Sequence, residues 1–131
     1  MGIARRLSND RPEQIGKMWQ EFFARGGAAR IPGRKSDVVH AVYTDYEGDH
    51  TKPFTLIIGC EVDATVTTPE GLRVKTIPAG KFEVFEAKGP QPAALVAAWK
   101  RVWDSPIKRA YEADVERYLG PEDVEIFVGT R

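Results

Sequence analysis

Carboxylates set inside apolar strand patterns are the residues of this sequence best placed to do chemistry. Glu125 stands in the run Val124-Glu125-Ile126-Phe127-Val128. Side chains of a strand alternate between its faces, so Glu125 shares one face with Phe127 while Val124, Ile126 and Val128 share the other. If helices cover the Val124 face, Glu125 is a solvated outward residue. If its own face lines a cleft, a carboxylate sits beside aromatic walls. That second arrangement suits a lipophilic cation, because aromatic faces attract positive charge and the carboxylate neutralises it in a low dielectric. Binding also offsets the cost of desolvating the carboxylate. Glu61, in Gly59-Cys60-Glu61-Val62 near a strand end, reads as exposed, and Glu116, in Asp114-Val115-Glu116-Arg117-Tyr118, as the partner of a neighbouring arginine ahead of a ligand role.

The aromatic residues carry two readings. Trp19, Phe22, Phe23, Trp99 and Trp103 fall at helical spacing, the usual mark of a core stripe. Yet 3 Trp and 4 Tyr are generous for 131 residues, and both types bring an apolar face with a polar tip that suits a pocket wall. Tyr43, Tyr46, Tyr111 and Tyr118 are the tyrosines in question. The other reactive types offer less. His50 falls in a polar turn, His40 reads as a structural or surface residue of a strand, and Cys60 lies in an apolar run that predicts a buried, inert thiol. A single cysteine and the lack of paired Cys or His spacing predict no metal site; no Gly-rich phosphate loop or Ser nucleophile elbow occurs, and no cofactor is expected.

The elements that must position these groups follow from pattern. Residues 2–7 form a short first strand. Asp10, Pro12 and Glu13 mark a helix start, with Asp10 as cap and Pro12 in the first turn. Ile15, Met18, Trp19, Phe22 and Phe23 form its apolar stripe, and Gly26-Gly27 stops it. Strands are expected at 38–46 and 54–62, the second nearly all apolar and so central. Segments 72–77 and 81–88 flank a turn at Pro78-Ala79-Gly80. Leu95, Ala98, Trp99, Val102 and Trp103 then mark an amphipathic helix ended by Pro106. Residues 111–118 fit either strand or helix, and 124–128 is a closing strand. The order predicts an α+β fold of two β-α-β-β halves, forming one mainly antiparallel sheet with both helices on one face. A cleft is expected at the seam between the halves, where pockets tend to occur.

Composition bounds the partners. The length suits one domain spanning residues 1–131. Lys+Arg is 19 and Asp+Glu is 19, so no global basic field exists to attract phosphate backbones, and direct nucleic-acid binding is not expected. No apolar run approaches the about 20 residues that span a bilayer, and no signal-peptide pattern opens the chain. A cytoplasmic location and no membrane partner are the corresponding expectations.

Several segments then look familiar in their order: Val42-Tyr43-Thr44-Asp45-Tyr46-Glu47-Gly48-Asp49, Ile57-Ile58-Gly59-Cys60-Glu61-Val62, Ile77-Pro78-Ala79-Gly80-Lys81-Phe82-Glu83-Val84-Phe85, Lys88-Gly89-Pro90, Trp99, the run 114–118 and the run 124–128. Together they resemble the GyrI-like small-molecule-binding domain, the effector-binding module of some AraC- and MerR-type transcription regulators, and above all its stand-alone integron-associated effector-binding type. The resemblance covers nearly the whole chain. It implies a central cleft with an acidic residue that recognises cationic, lipophilic compounds, a role that falls on Glu125 in the closing strand. Phe127, Tyr43, Trp99, Trp103 and Tyr111 are the accompanying ligand-binding candidates. Some stand-alone members resemble hydrolases of cyclopropane-bearing electrophiles that use a Glu and a Tyr; carried over, Glu125 would activate water and Tyr43 or Tyr111 would polarise the substrate. Val115 departs from the pattern, standing where the family commonly has an aromatic residue.

The leading expectation is a binding protein for hydrophobic, cationic small molecules, followed equally by a hydrolase of reactive small molecules and a module that docks on a regulator protein. Ligand identity and oligomeric state are not legible from these residues.

Overall fold

In a computed structural model, which describes residues 1–49, 51–63 and 65–131, the chain forms six strands and two α-helices. The elements are β1 (Gly2–Leu7), α1 (Pro12–Ala24), β2 (Arg34–Thr44), β3 (Phe54–Val62), β4 (Lys81–Lys88), α2 (Ala93–Asp104), β5 (Arg109–Gly120) and β6 (Asp123–Thr130). A short 3-10 turn, Gly27–Arg30, follows α1. The strands make one sheet in the order β1-β3-β2-β5-β6-β4, and every pairing is antiparallel.

The two halves repeat the same topology. In the first, β3 lies between β1 and β2; in the second, β6 lies between β4 and β5. Each β-α-β-β unit has one helix to cover its part of the sheet, and the units join where β2 pairs with β5, Val42 opposite Val115 and Ala41 opposite Glu116. The pattern expected from the sequence is therefore the one formed.

Both helices cover the same face. Met18 and Phe22 of α1 pack with Ile3, Ala41, Phe54, Leu56 and Ile58. Ala98 and Val102 of α2 pack with Ala87, Val124, Ile126 and Val128. Tyr118 touches both clusters across the seam. A smaller cluster of Val42, Ile57 and Val115, with Ala4 and Phe127 against it, lies on the reverse face, as the period of two requires for residues adjacent to those in the main core. β3 is buried from Phe54 to Cys60 because it is central and covered on both sides, which explains its unbroken apolar run.

One local expectation needs correction, the Asp10 cap, and two segments that pattern left open take definite form. Segment 72–77, which flanks the turn before β4, is not a strand: its backbone pairing with the sheet is a single bridge, Gly2 to Arg73, and its Val74 and Ile77 stay exposed. Asp10 does not cap α1: Arg11 occupies the N-cap without a side-chain bond, and the Asp10 carboxylate is taken by the Ser8 hydroxyl. Residues 111–118, open between strand and helix, lie within the long strand β5.

Gly2 and Gly59 face each other where β1 meets β3. A Cβ on Gly59 would come within 1.8 Å of the Met1 carbonyl oxygen and 2.6 Å of the Gly2 Cα. No side chain can be accommodated without parting the strands. Gly59→Ala is expected to destabilise the protein by about 1–3 kcal/mol, in the range of overpacked cores. A urea midpoint unchanged from the parent would show that β1 is not held this tightly.

Candidate functional site

The seam gathers a carboxylate and a set of aromatic rings beneath α2. On β5, Asp114, Glu116 and Tyr118 point to the helix side, because Glu116 pairs with Ile126 and Tyr118 with Val124, both in the α2 core. Glu116 is 1% exposed. Its Oε2 accepts bonds from Trp99 Nε1 at 2.6 Å and the Tyr43 hydroxyl at 3.1 Å, and its Oε1 accepts from the Tyr118 hydroxyl at 2.6 Å. All three donors are neutral. Burial raises the Glu116 pKa above its ordinary value, and the hydrogen bonds from Tyr118, Trp99 and Tyr43 pull the other way.

The cleft in front of this carboxylate has a volume of about 180 Å³. Trp99, Trp103, Leu95 and Val96 of α2 form one wall, with Tyr43, Tyr46 and Phe54 opposite. The rings brace one another: Tyr43 lies edge-on to Trp99 at 5.7 Å and tilted on Phe54 at 5.3 Å. The Tyr43 and Tyr46 hydroxyls are held well above the usual phenol range, first by burial and then by the carboxylates beside them. They are donors, not bases, at neutral pH.

A second carboxylate sits two residues back on the same face of β5 and is compensated. Asp114 accepts from Arg109 Nη2 at 2.7 Å, from the Tyr46 hydroxyl at 2.5 Å and, through Oδ1, from the Gly129 amide at 2.9 Å. Asp114 thus has a cationic partner in Arg109, whereas Glu116 has neutral donors alone.

The sequence candidates divide accordingly. Tyr43, Trp99 and Trp103 line the cleft. Tyr111 lies beside it, 5.7 Å from Tyr46 and under the Arg109 guanidinium at 4.4 Å. Glu125 and Phe127 do not join them. Glu125 is opposite Arg117 in the β5–β6 register, on the reverse face of the sheet, with 3.6 Å between its carboxylate and the guanidinium; Phe127 packs against Val42, Ile57 and Val115. The physical reason is that Val124, Ile126 and Val128 pack under α2, which turns their neighbours away. The same separation parts Glu125 from Tyr43 and Tyr111, the pairings considered for water activation. Glu116, read as an arginine partner, has Tyr43, Trp99 and Tyr118 as its hydrogen-bond donors instead, while the adjacent Arg117 takes Glu125.

Elsewhere, Glu61 is exposed and pairs with Lys35 at 3.4 Å, Cys60 is buried, and burial lowers the His40 pKa. His50 lies outside the described residues. A larger hollow, about 400 Å³, opens on the reverse face between Val42, Ile57, Val74 and Ile77, but it has neither the aromatic rings nor a buried carboxylate. Among the described residues no cluster of His, Cys, Asp and Glu could hold a metal ion, and no helix is long and apolar enough to cross a membrane.

With this geometry in place, comparison with known proteins gives a consistent result. The family model described as Cass2, integron-associated effector binding protein, matches residues 1–129. An integron cassette protein from the mobile metagenome of Vibrio cholerae is 33% identical and superposes with a TM-score of 0.80, over 99% of this chain and 88% of that one. SAV2435, solved bound to tetraphenylphosphonium, is 19% identical with a TM-score of 0.80, over 99% of this chain and 86% of that one, a likeness of fold. No curated protein sequence matches this chain.

Proposed function

The chain belongs to the integron-associated effector-binding family, and from that premise we propose that it binds lipophilic organic cations in the cleft between Tyr43 and α2, with Glu116 as the residue that recognises their charge. The observation that carries this reading is the buried Glu116 carboxylate held by three neutral donors in front of an aromatic cleft. A buried carboxylate without a cation is costly to ionise. An arriving cation supplies the missing charge, while the Trp99 and Tyr43 rings supply cation–π attraction and apolar contact. That SAV2435 has been solved with a lipophilic cation agrees with the proposal.

Size limits how such a ligand sits. About 180 Å³ is below the about 300–1,000 Å³ of pockets that enclose a drug-sized molecule. The cationic centre and one aryl group enter, and the remainder lies over Val96 and Trp103, which are 52% and 46% exposed. Exposed apolar side chains at a cleft mouth are thereby accounted for.

The test is a tryptophan-fluorescence titration, since Trp99 and Trp103 line the cleft. Tetraphenylphosphonium is expected to change the emission saturably and to bind at least about tenfold tighter than neutral triphenylphosphine oxide, the value of one charge-assisted contact. Equal affinity for the two would remove charge recognition from the reading. No saturable response to either, confirmed by calorimetry, would remove the cleft as a ligand site and favour docking on a protein partner.

A further inference from the structure

Arg109 has donors that the protein does not use. Its side chain is 7% exposed. The guanidinium is clamped on its faces, 4.4 Å from the Tyr111 ring and 5.8 Å from the Trp99 ring. One edge is held by Asp114 through Nη2. The buried Nε and Nη1 have no hydrogen-bond partner among the described residues. A buried N–H left unmade costs the desolvation of that group, so native proteins rarely keep two on one side chain without a use.

The position of Arg109 supplies one. It lines both the Glu116 cleft and a second hollow of about 300 Å³, which shares Trp103 with the cleft and adds Lys108, Tyr111 and Arg131. The two spaces thus meet at Arg109, one lined by Glu116 and the other by Lys108 and Arg131. Trp99 spans the junction, giving its Nε1–H to Glu116 while its ring lies beside the Arg109 guanidinium.

We propose that the ligand is amphoteric: a lipophilic cation whose positive centre meets Glu116 and whose carboxylate or comparable oxygen acceptor, a short chain away, accepts from one of the unpartnered N–H groups of Arg109, the residue that the cleft and the basic hollow share. This rests on the cation-binding reading of the cleft and narrows it to a chemical class. Arg–carboxylate contact is charge-assisted and directional, and Asp114 keeps the Arg109 charge from repelling the cation. A ligand with both groups occupies both spaces and gives a partner to a buried donor that has none in the protein.

Matched triphenylphosphonium probes test it by calorimetry: one carrying a pentyl chain, one a carboxybutyl chain of similar length, and the methyl ester of the latter. The carboxybutyl probe is expected to bind about tenfold tighter than the pentyl probe, with the ester between them. In Arg109→Met/Asp114→Asn, which removes both buried charges, the carboxybutyl probe should fall to the affinity of the pentyl probe. Should that variant not fold, Arg109→Lys keeps the ion pair, lacks the planar donors and should lower the ratio. Equal binding of the pentyl and carboxybutyl probes to the parent protein overturns the inference and leaves cation recognition standing. A preference that persists in the variants also overturns it. Failure of every probe to bind overturns both readings.

Discussion

Replacing Glu116 with Gln is expected to weaken tetraphenylphosphonium binding by about 10- to 100-fold, the worth of one charge-assisted contact of about 1.5–3 kcal/mol, and to leave triphenylphosphine oxide unaffected. Gln fills the same space and can still accept from one or two of Trp99, Tyr43 and Tyr118, so a loss confined to the cation isolates charge. Equal losses for both ligands would mean that Glu116 shapes the wall and does not read the charge. The pH dependence follows from the same group. Because burial raises the Glu116 pKa above 4.5, cation binding should weaken as pH falls through that raised value, and binding at a pH near it should release protons. Calorimetry in buffers of different ionisation enthalpy measures that release.

The stability of the empty protein should move in the opposite sense. The folded state holds the Glu116 proton more tightly than the unfolded chain does, so between 4.5 and the raised value the native state binds more protons. Stability then falls as pH rises through that window, and the cost persists above it. Glu116→Gln abolishes the ionisation, so the unliganded variant should melt higher than the parent at pH 7, with the gap closing below pH 4.5. A variant both more stable and worse at binding is the behaviour expected of a residue kept for function at the expense of the fold. A lower melting temperature at neutral pH would mean that the three hydrogen bonds outweigh the burial of the charge.

Periodicity located the elements because it reports burial directly. The Trp99 stripe, the Trp19 stripe apart from the 62% exposed Phe23, the unbroken run of β3 and the strand–helix–strand–strand order survive in the structure. Periodicity failed where the helix-facing side of a strand is polar. In β5 the residues facing the helices are Asp114, Glu116 and Tyr118, and the apolar Val115 faces away, the reverse of the usual rule. A carboxylate flanked by Val124 and Ile126 therefore draws the eye to Glu125, while the functional-looking Glu116 hides among charged neighbours. The alternation of β6 did contain the answer: three β-branched residues on one face are enough to claim the helix, and Glu125 then has nowhere to point but outward. What no pattern supplies is the pairing register, which sets Ala41 of β2 opposite Glu116 and leaves Tyr43 and Trp99 able to reach one carboxylate from different elements. Segment 72–77 shows the same point: its residues alternate as a strand's do, but the sheet edge offers it one bridge.

Asp114 shows what Glu116 lacks, and its removal should be the most damaging single change to the fold. The two carboxylates share a face of β5, and both are buried, at 0% and 1% exposure. Asp114 has a resident cation in Arg109, together with the Tyr46 hydroxyl and the Gly129 amide. Asp114→Ala would strand an arginine whose Nε and Nη1 already lack partners, and breaking a buried pair from one side costs about 3–5 kcal/mol. Removing both charges, in Arg109→Met/Asp114→Asn, should restore most of that loss, because Asn can still accept from the Gly129 amide and no buried charge remains. Urea unfolding of the three proteins decides it. If the double variant is as unstable as the single one, the pair stabilises through geometry that neither partner can lose. If the single variant costs under about 1 kcal/mol, the range of exposed pairs, water reaches Arg109. The contrast then extends to binding: a carboxylate that the fold supplies with its own cation stabilises the protein, and one that the fold supplies with neutral donors alone is left for the charge a ligand brings.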